Sequence, residues 1–217
     1  MSLPKVKICC ISRLEEAQLA IQYGAAAIGL VGPMPSGPGV IDNALIRKIA
    51  THTPPPIASF LLTSETQSQA IISHHQKVQT NTIQIVDALE EGNYQAIQEA
   101  LPAIKIVQVI HVINEQSIEE AIAISESVDA LLLDSGNPNL AIKELGGTGR
   151  THNWALSRKI VEQAKVPVFL AGGLRASNVQ KALDEVQPYG LDLCSGVRTD
   201  GQLDEEKLAA FFKAVGY

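Results

Sequence analysis

Short runs of β-branched and aliphatic residues alternate along the chain with segments whose apolar residues recur at helical spacing. Because the runs are almost wholly apolar, they are typical of parallel strands buried on both faces. The predicted strands are 6–11, 26–31, 56–62, 82–87, 105–113, 130–134, 167–170 and 191–194. The predicted helices are 12–23, 43–50, 65–76, 94–101, 116–125, 154–164, one that opens at 177, and 205–215. The helices that open at 12 and 177 begin with the sequence pattern of a capping box.

Eight strand–helix units predict parallel strands joined by right-handed crossovers. Such a sheet can either close into a barrel or stay open and doubly wound. Eight units in 217 residues, without a Gly-x-Gly-x-x-Gly after the first strand, favour an α/β fold of the (β/α)8 TIM-barrel type. We expect residues 1–217 to form a single barrel domain.

Composition narrows the classes of function. A net charge of −6, without clustered lysine and arginine, argues against a nucleic-acid partner. No apolar stretch approaches the roughly 20 residues that a membrane span needs. Three cysteines without Cys-x-x-Cys spacing predict neither a disulfide framework nor a zinc ribbon, and no other spacing resembles a metal site. Reduced thiols and the absence of a signal peptide predict a cytoplasmic protein.

Two glycine-bearing turns follow the last two strands. In a barrel, functional groups gather at the carboxyl ends of strands, and phosphate commonly binds after the seventh and eighth. Gly172 and Gly173 follow the seventh predicted strand, and Ser195 and Gly196 follow the eighth. Glycine lets the backbone approach an oxyanion, and free N–H groups donate to it. Each turn alone could be an ordinary tight turn, but two in this order favour a phosphate site.

Titratable side chains at strand ends are candidates for acid–base chemistry. Cys9 could act as a base if a cation such as Lys7, on the same side of the strand, lowers its pKa, or it could be a small buried apolar residue. Asp134 ends an apolar strand and must be paired, solvated or functional, because burying a bare carboxylate is costly; a loop-capping role is the alternative. Asp192, between two leucines, could be a buried acceptor for nearby backbone.

Two other features have less specific signals. The interval of about eighteen residues after the sixth strand, which contains G-G-T-G-R at 146–150, is long for a compact domain. It could close over a ligand or be a surface loop. His74 and His75 are adjacent on a predicted helix, and we expect them on a solvated face.

Five segments together resemble the phosphoribosylanthranilate isomerase family, barrel enzymes of tryptophan biosynthesis. The resemblance runs through the whole chain in order. The segments are K-I-C-C-I at 7–11, L-L-D-S at 132–135, G-G-T-G-R-T at 146–151 with N-W at 153–154, A-G-G-L at 171–174 with N-V at 178–179, and D-L-C-S-G-V at 192–197.

The resemblance implies an Amadori rearrangement that converts a phosphoribosyl-amine, an aminoaldose, into an aminoketose without a metal or an organic cofactor. It makes Asp134 the acid that protonates the ring oxygen and Cys9 the base that removes the C2 proton. The expected partner is a small phosphorylated sugar-amine, bound by a monomer or homodimer. The residues that the resemblance implies for substrate and phosphate binding are Gly172, Gly173, Asp192, Cys194, Ser195 and Gly196.

The chain departs from the family pattern around the aglycone. Gly37 and Val86 stand where the family has an arginine, which grips the anthranilate carboxylate, and a histidine. Cys10 replaces the glycine after the catalytic cysteine, and Cys194 replaces the first serine of the strand 8 motif.

These departures leave the substrate open. Arg150, His111 or Arg198 could supply the missing aglycone contacts, with the substrate unchanged. A paralogous isomerase acting on a different phosphorylated sugar-amine is one alternative. A non-catalytic barrel that binds a phosphorylated metabolite is another.

Overall fold

A computed structural model describes residues 3–217, in which strands and helices alternate as the hydrophobic pattern predicts. The strands of the barrel are β1 (Lys5–Ile8), β2 (Ala27–Val31), β3 (Ala58–Thr63), β4 (Thr82–Ile85), β5 (Lys105–His111), β6 (Ala130–Asp134), β7 (Val168–Leu170) and β8 (Gly190–Leu193). The helices are α1 (Leu14–Gln22), α2 (Asn43–His52), α3 (Ser68–Val78), α4 (Tyr94–Ala100), α5 (Gln116–Ser125), α6 (Trp154–Gln163), α7 (Val179–Val186) and α8 (Glu205–Ala214). Between β8 and α8 lie a short 3-10 helix (Ser195–Val197) and a hairpin of β9 (Arg198–Thr199) and β10 (Gln202–Leu203).

The eight strands form one closed parallel barrel in chain order. β1 closes it by pairing with both β2 and β8, so that Lys7 stands beside Ala27 on one side and Asp192 on the other. The predicted (β/α)8 fold is confirmed. Within residues 3–217, no helix has both the length and the apolar character needed to cross a membrane.

Strand periodicity divides the core into two layers. Along β6, Leu131 and Leu133 pack in the outer layer, between the barrel wall and the helices. Leu132 lies in the inner layer, which fills the barrel. Because side chains alternate across a strand, Asp134 points to the same side as Leu132.

Both predicted capping boxes are wrong, although the helices exist. α1 begins at Leu14 after Arg13, which forms no side-chain cap, and the backbone N–H of Ser12 donates to Glu16 instead of Glu15. α7 begins at Val179, and no side chain caps it. Glu16 forms a buried ion pair with Arg198, which is far away in the sequence. This pair holds the Glu16 carboxylate close to Ser12.

The prediction that His74 and His75 lie on a solvated face is also wrong. Both are buried, because α3 packs between α2 and α4 in the ring of helices. The His74 ring lies 3.0 Å from the hydroxyl of Thr63 and 3.0 Å from the side-chain oxygen of Asn43. The His75 ring lies 2.7 Å from the carbonyl oxygen of Thr80. These partners satisfy both ring nitrogens of His74 and Nε2 of His75, which burial would otherwise leave unpaired.

Candidate active site

A cavity that opens to solvent lies at the carboxyl ends of the barrel strands. Cys9, after β1, and Asp134, at the end of β6, both line it, with β7 and β8 between them in the barrel. The predicted substrate and phosphate residues also line the cavity: Gly172, Gly173, Asp192, Cys194, Ser195 and Gly196.

The Cys9 thiol is buried, with 5% of the residue exposed. A hydrogen bond from the Cys10 thiol lowers the pKa of Cys9, and the nearby Lys7 ammonium acts in the same direction. Burial and the Asp192 carboxylate oppose this shift without cancelling it. Cys9 is therefore more readily ionised than an ordinary thiol.

Lys7 and Asp192 form a buried ion pair beneath Cys9, with 2.8 Å between Nζ and Oδ1. Burial alone would lower the pKa of Lys7, but the carboxylate of Asp192 raises it above the ordinary value. The ammonium also lies 5.2 Å from the centre of the Phe60 ring, within reach of a cation–π contact. Lys7 therefore stays charged and keeps a positive field beside the thiol.

Gly29 in β2 makes room for this arrangement. A Cβ atom at this position would lie 2.9 Å from Sγ of Cys9 and 3.1 Å from Nζ of Lys7. Any larger residue would displace the thiol or the ammonium from its partner.

The pKa of Asp134 is shifted upward, in the direction opposite to that of Cys9. Burial raises the pKa of its carboxyl group, since the charged form loses its hydration. The backbone N–H groups of Ser135 and Gly136 and the nearby His111 act against that shift without cancelling it. Asp134 is therefore more often protonated near neutral pH than an exposed aspartate, which suits a proton donor.

The turns after β7 and β8 form a cradle of backbone donors. Gly172 and Gly173 have φ angles of +81° and +61°, which glycine adopts without strain. A Cβ atom at Gly196 would lie 1.9 Å from the carbonyl oxygen of Leu174, so only glycine lets the two turns pack this closely. The N–H groups of Gly172, Gly173 and Gly196 donate to no acceptor within residues 3–217. They are available to an anion.

The long loop between β6 and α6 covers this cavity. Its Ser135 and Thr148 hydroxyls are 2.7 Å apart. A Cβ atom at Gly146 would lie 3.1 Å from the Asp134 carboxylate, and one at Gly149 would lie 3.4 Å from the Ser195 hydroxyl. One loop thus contacts both the acid and the cradle, which favours a ligand-covering role over that of a plain surface loop.

Comparison with known proteins identifies the family. A family model described as N-(5'-phosphoribosyl)anthranilate (PRA) isomerase matches residues 6–214. The chain belongs to this family.

Individual relatives agree along almost the whole chain. N-(5'-phosphoribosyl)anthranilate isomerase of Methanosarcina acetivorans is 34% identical over 97% of this chain and 92% of the relative. Isomerase 2 of Methanosarcina mazei is 35% identical over 95% and 92%. The crystal structure of the Thermotoga maritima isomerase superposes with a TM-score of 0.80, at 27% identity and 98% coverage of both chains. An isomerase solved with reduced 1-(o-carboxyphenylamino)-1-deoxyribulose 5-phosphate has a TM-score of 0.78, at 26% identity and 98% coverage of both chains.

Cys10 occupies a position at which the family pattern has glycine, and the backbone shows why. Its φ angle is +62°, in the left-handed region that glycine favours. This conformation costs a non-glycine residue about 1–2 kcal/mol. Arg198 donates to the carbonyl oxygens of Cys9, at 3.2 Å, and Cys10, at 2.6 Å, and so holds the strained turn.

Arg198 is therefore not free to contact an aglycone, which corrects that expectation. Its guanidinium is buried and lies 3.1 Å from the Glu16 carboxylate, behind the backbone that it holds. The cavity is lined by other residues. Arg198 instead holds the backbone of the segment that contains Cys9.

Arg150 and His111 also lie outside the cavity lining. The Arg150 side chain is exposed and pairs with Glu144 on the outer side of the loop. His111 lies 3.0 Å from the carbonyl oxygen of Val86 and lines a neighbouring cavity. The structure thus places none of the three expected aglycone contacts at the central cavity, since each side chain already has a partner elsewhere.

Sequence reasoning did not single out Gln84 as a functional residue. Gln84 lies in β4, is 3% exposed, lines the cavity, and its Oε1 has no partner among the described residues. The available signal was a polar residue between Ile83 and Ile85 in an apolar strand. A buried amide without a protein partner is suited to bind a ligand.

Proposed function

We propose that this protein is a phosphoribosylanthranilate isomerase that catalyses the Amadori rearrangement of N-(5'-phosphoribosyl)anthranilate in tryptophan biosynthesis. One observation carries the proposal: a thiol of lowered pKa and a carboxyl of raised pKa line one cavity above a cradle of free N–H groups. Family membership and the activity of the named relatives support it.

The geometry supports distinct roles for these groups. The N–H groups of Gly172, Gly173 and Gly196 bind the phosphate and fix the ribose below the loop. Protonated Asp134 gives its proton to the furanose ring oxygen as the C1–O bond breaks and a Schiff base forms. The Cys9 thiolate then takes the C2 proton, and the resulting enolamine becomes the ketone.

The two pKa shifts support this assignment because they act toward the same protonation state. A lowered thiol pKa and a raised carboxyl pKa both increase the fraction of molecules with an ionised Cys9 and a protonated Asp134. If both groups had ordinary pKa values, an ionised thiol together with a protonated carboxyl would be rare at any pH.

The segments that follow β2 and β4 present Met34, Pro38 and Val86 to the cavity, an apolar lining suited to an aromatic ring. No arginine, lysine or histidine of the described chain lines the cavity. We therefore expect hydrogen bonds to recognise the aglycone, with the unpaired Oε1 of Gln84 as a candidate acceptor for its N–H group. A bidentate arginine contact would be stronger.

The decisive experiment is turnover of N-(5'-phosphoribosyl)anthranilate by the pure protein. We expect Cys9→Ala and Asp134→Asn each to lower kcat by roughly 10²–10⁴, the typical contribution of a general acid or base. Both variants should still bind a stable product analogue, since the cradle is intact. If the folded wild-type protein binds the analogue but does not turn over the substrate, the barrel is a binding protein and the proposal is wrong.

The cellular setting is part of the proposal. The three free thiols fit a reducing compartment such as the cytoplasm. A monomer or a homodimer is expected, and light scattering on the purified protein distinguishes the two.

A further inference from the structure

All three cysteines of the described chain lie at one edge of the cavity. Cys10 follows β1 and Cys194 follows β8, which are neighbours in the barrel with Ile8 beside Leu193. The sulfur atoms of Cys10 and Cys194 are 2.7 Å apart. A disulfide bond is about 2.0 Å long, so a small movement would join them.

We propose that Cys10 and Cys194 are an oxidation site, at which hydrogen peroxide forms a disulfide that links β1 to β8 beside the cavity. Within the described chain, no group of three or more His, Cys, Asp or Glu side chains is arranged to hold a metal ion. The short distance between the two sulfur atoms instead favours a disulfide. The family pattern has glycine and serine at these two positions. The cysteine pair is therefore not part of the family pattern to which the sequence is similar.

The oxidation needs two electrons and starts at the more accessible sulfur. Cys194 is partly exposed, whereas Cys10 is buried. The thiolate of Cys194 attacks one peroxide oxygen, the O–O bond breaks, and the departing hydroxide takes up a proton to become water. The Cys10 sulfur then attacks the sulfenic acid. The S–S bond forms, the S–O bond breaks, and the hydroxide leaves as a second water with the proton of Cys10.

Cys9 cannot form a relaxed disulfide with Cys10, for a geometric reason. Consecutive Cα atoms are about 3.8 Å apart across a trans peptide. A relaxed disulfide needs about 4.4–6.8 Å between its Cα atoms, so Cys9 and Cys10 are too close along the chain. Cys9 also faces the Lys7–Asp192 pair beneath it.

The disulfide would affect activity through Cys9, a consequence that rests on the proposed function. Cys10 donates the hydrogen bond that does most to favour the Cys9 thiolate. An oxidised Cys10 has no proton to donate. Since a hydrogen bond to a charged group is worth about one pKa unit, we expect kcat/KM near neutral pH to fall about tenfold and to recover with dithiothreitol.

Peptide mapping tests the site without reference to activity. After peroxide treatment of the folded protein, trypsin should release the peptide 8–13 joined to the peptide 182–198, with fragmentation placing the bond at Cys10. Cys9→Ala should give the same link. The Cys10→Gly and Cys194→Ser variants should not give this linked peptide. Both variants should fold, because glycine suits the left-handed backbone at position 10 and serine is nearly isosteric with cysteine. A bond to Cys9, sulfinic acid on Cys9, or three unlinked cysteines in folded wild-type protein would overturn the proposal.

Activity measured on the same samples separates the two proposals. Linked peptides with turnover lowered and then restored by dithiothreitol support both. Linked peptides with unchanged turnover overturn the coupling to Cys9. An untreated protein without turnover contradicts the proposed function, whereas a link between Cys10 and Cys194 in that protein still supports the oxidation site.

Discussion

At the scale of single residues, the ionisation of Cys9 depends on neighbours that lower the pKa of its thiol. Cys10 donates to it, the Lys7 ammonium lies close by, and Gly29 leaves the space in which both side chains meet. Asp134 has a raised pKa mainly because it is buried. The active site thus sets two pKa values by different physical means.

This pair predicts a bell-shaped dependence of kcat/KM on pH. Activity rises as Cys9 loses its proton and falls as Asp134 loses its own, because only the thiolate with the protonated carboxyl is productive. The two apparent pKa values belong to the coupled pair. The profile is measured on the wild-type protein over the pH range in which it stays folded. A profile with a single limb would contradict these roles.

Cys10→Gly tests the hydrogen bond to Cys9. Loss of the donor should raise the pKa of Cys9 and move the corresponding limb of the kcat/KM profile to higher pH by about one unit. Relief of the left-handed strain should offset the lost side-chain packing, so the free energy of unfolding should change by no more than about 1 kcal/mol. Cys194→Ser, which keeps the Cys10 thiol, is the control. An unmoved limb in Cys10→Gly would show that the hydrogen bond does not matter.

At the scale of elements, the loop between β6 and α6 joins the parts of the site. It contacts the segment after β2, the acid on β6 and the cradle after β7 and β8. Its glycines permit these contacts, because a Cβ atom would crowd the Asp134 carboxylate at Gly146 and the Pro38 ring at Gly147. The loop's position is therefore coupled to substrate affinity.

Gly147→Ala should open this loop. Its φ angle is +68°, and a Cβ atom would lie 2.5 Å from Cδ of Pro38. We expect KM for the substrate to rise about tenfold, since a displaced loop loses contacts with the bound molecule. Gly201→Ala is the matched control: its φ angle is +77°, but a Cβ atom there meets nothing within 4 Å. An equal change in KM for both variants would mean that backbone strain alone, and not the contact with Pro38, is responsible.

At the scale of the whole molecule, the Glu16–Arg198 pair joins the first helix to the segment that follows the last strand of the barrel. Besides pairing with Arg198, Glu16 accepts from the backbone N–H of Leu203 at 2.8 Å and of Ser12 at 2.9 Å. Burial alone would raise the pKa of Glu16, but Arg198 and these N–H groups lower it below its ordinary value. The pair thus stabilises the place where β1 and β8 close the cylinder.

Glu16→Gln should lower the free energy of unfolding at neutral pH by roughly 2–4 kcal/mol, because Arg198 would stay buried without its counter-charge and solvent screens only part of the loss. A carboxylate with a lowered folded-state pKa stabilises the fold above its unfolded-state pKa, and this contribution is lost as pH falls through the folded-state value. The difference from wild type in urea unfolding should therefore shrink on acidification. Glu119→Gln, on an exposed part of α5, should stay within about 0.5 kcal/mol of wild type. A difference that is constant with pH would rule out the ion pair as the cause.

The sequence by itself determined the order and type of the eight units, because periods of two and of 3.6 residues are local properties of the chain. It also determined which residues reach the catalytic end of the barrel: strand-end position brings Cys9, Asp134 and the two glycine turns to one rim. The same two-residue period predicted that the Lys7 side chain points to the same side of β1 as Cys9, toward the barrel interior.

Only the tertiary structure decided the partners of these residues. Closure of the barrel pairs Lys7 with Asp192 and Cys10 with Cys194, although about 185 positions separate each pair along the chain. Arg198 binds the backbone carbonyl groups of Cys9 and Cys10 and pairs with Glu16 of the first helix. Only the folded chain brings these residues together. The pKa values of Cys9 and Asp134 depend on burial and on charges from several strands, which no local pattern encodes.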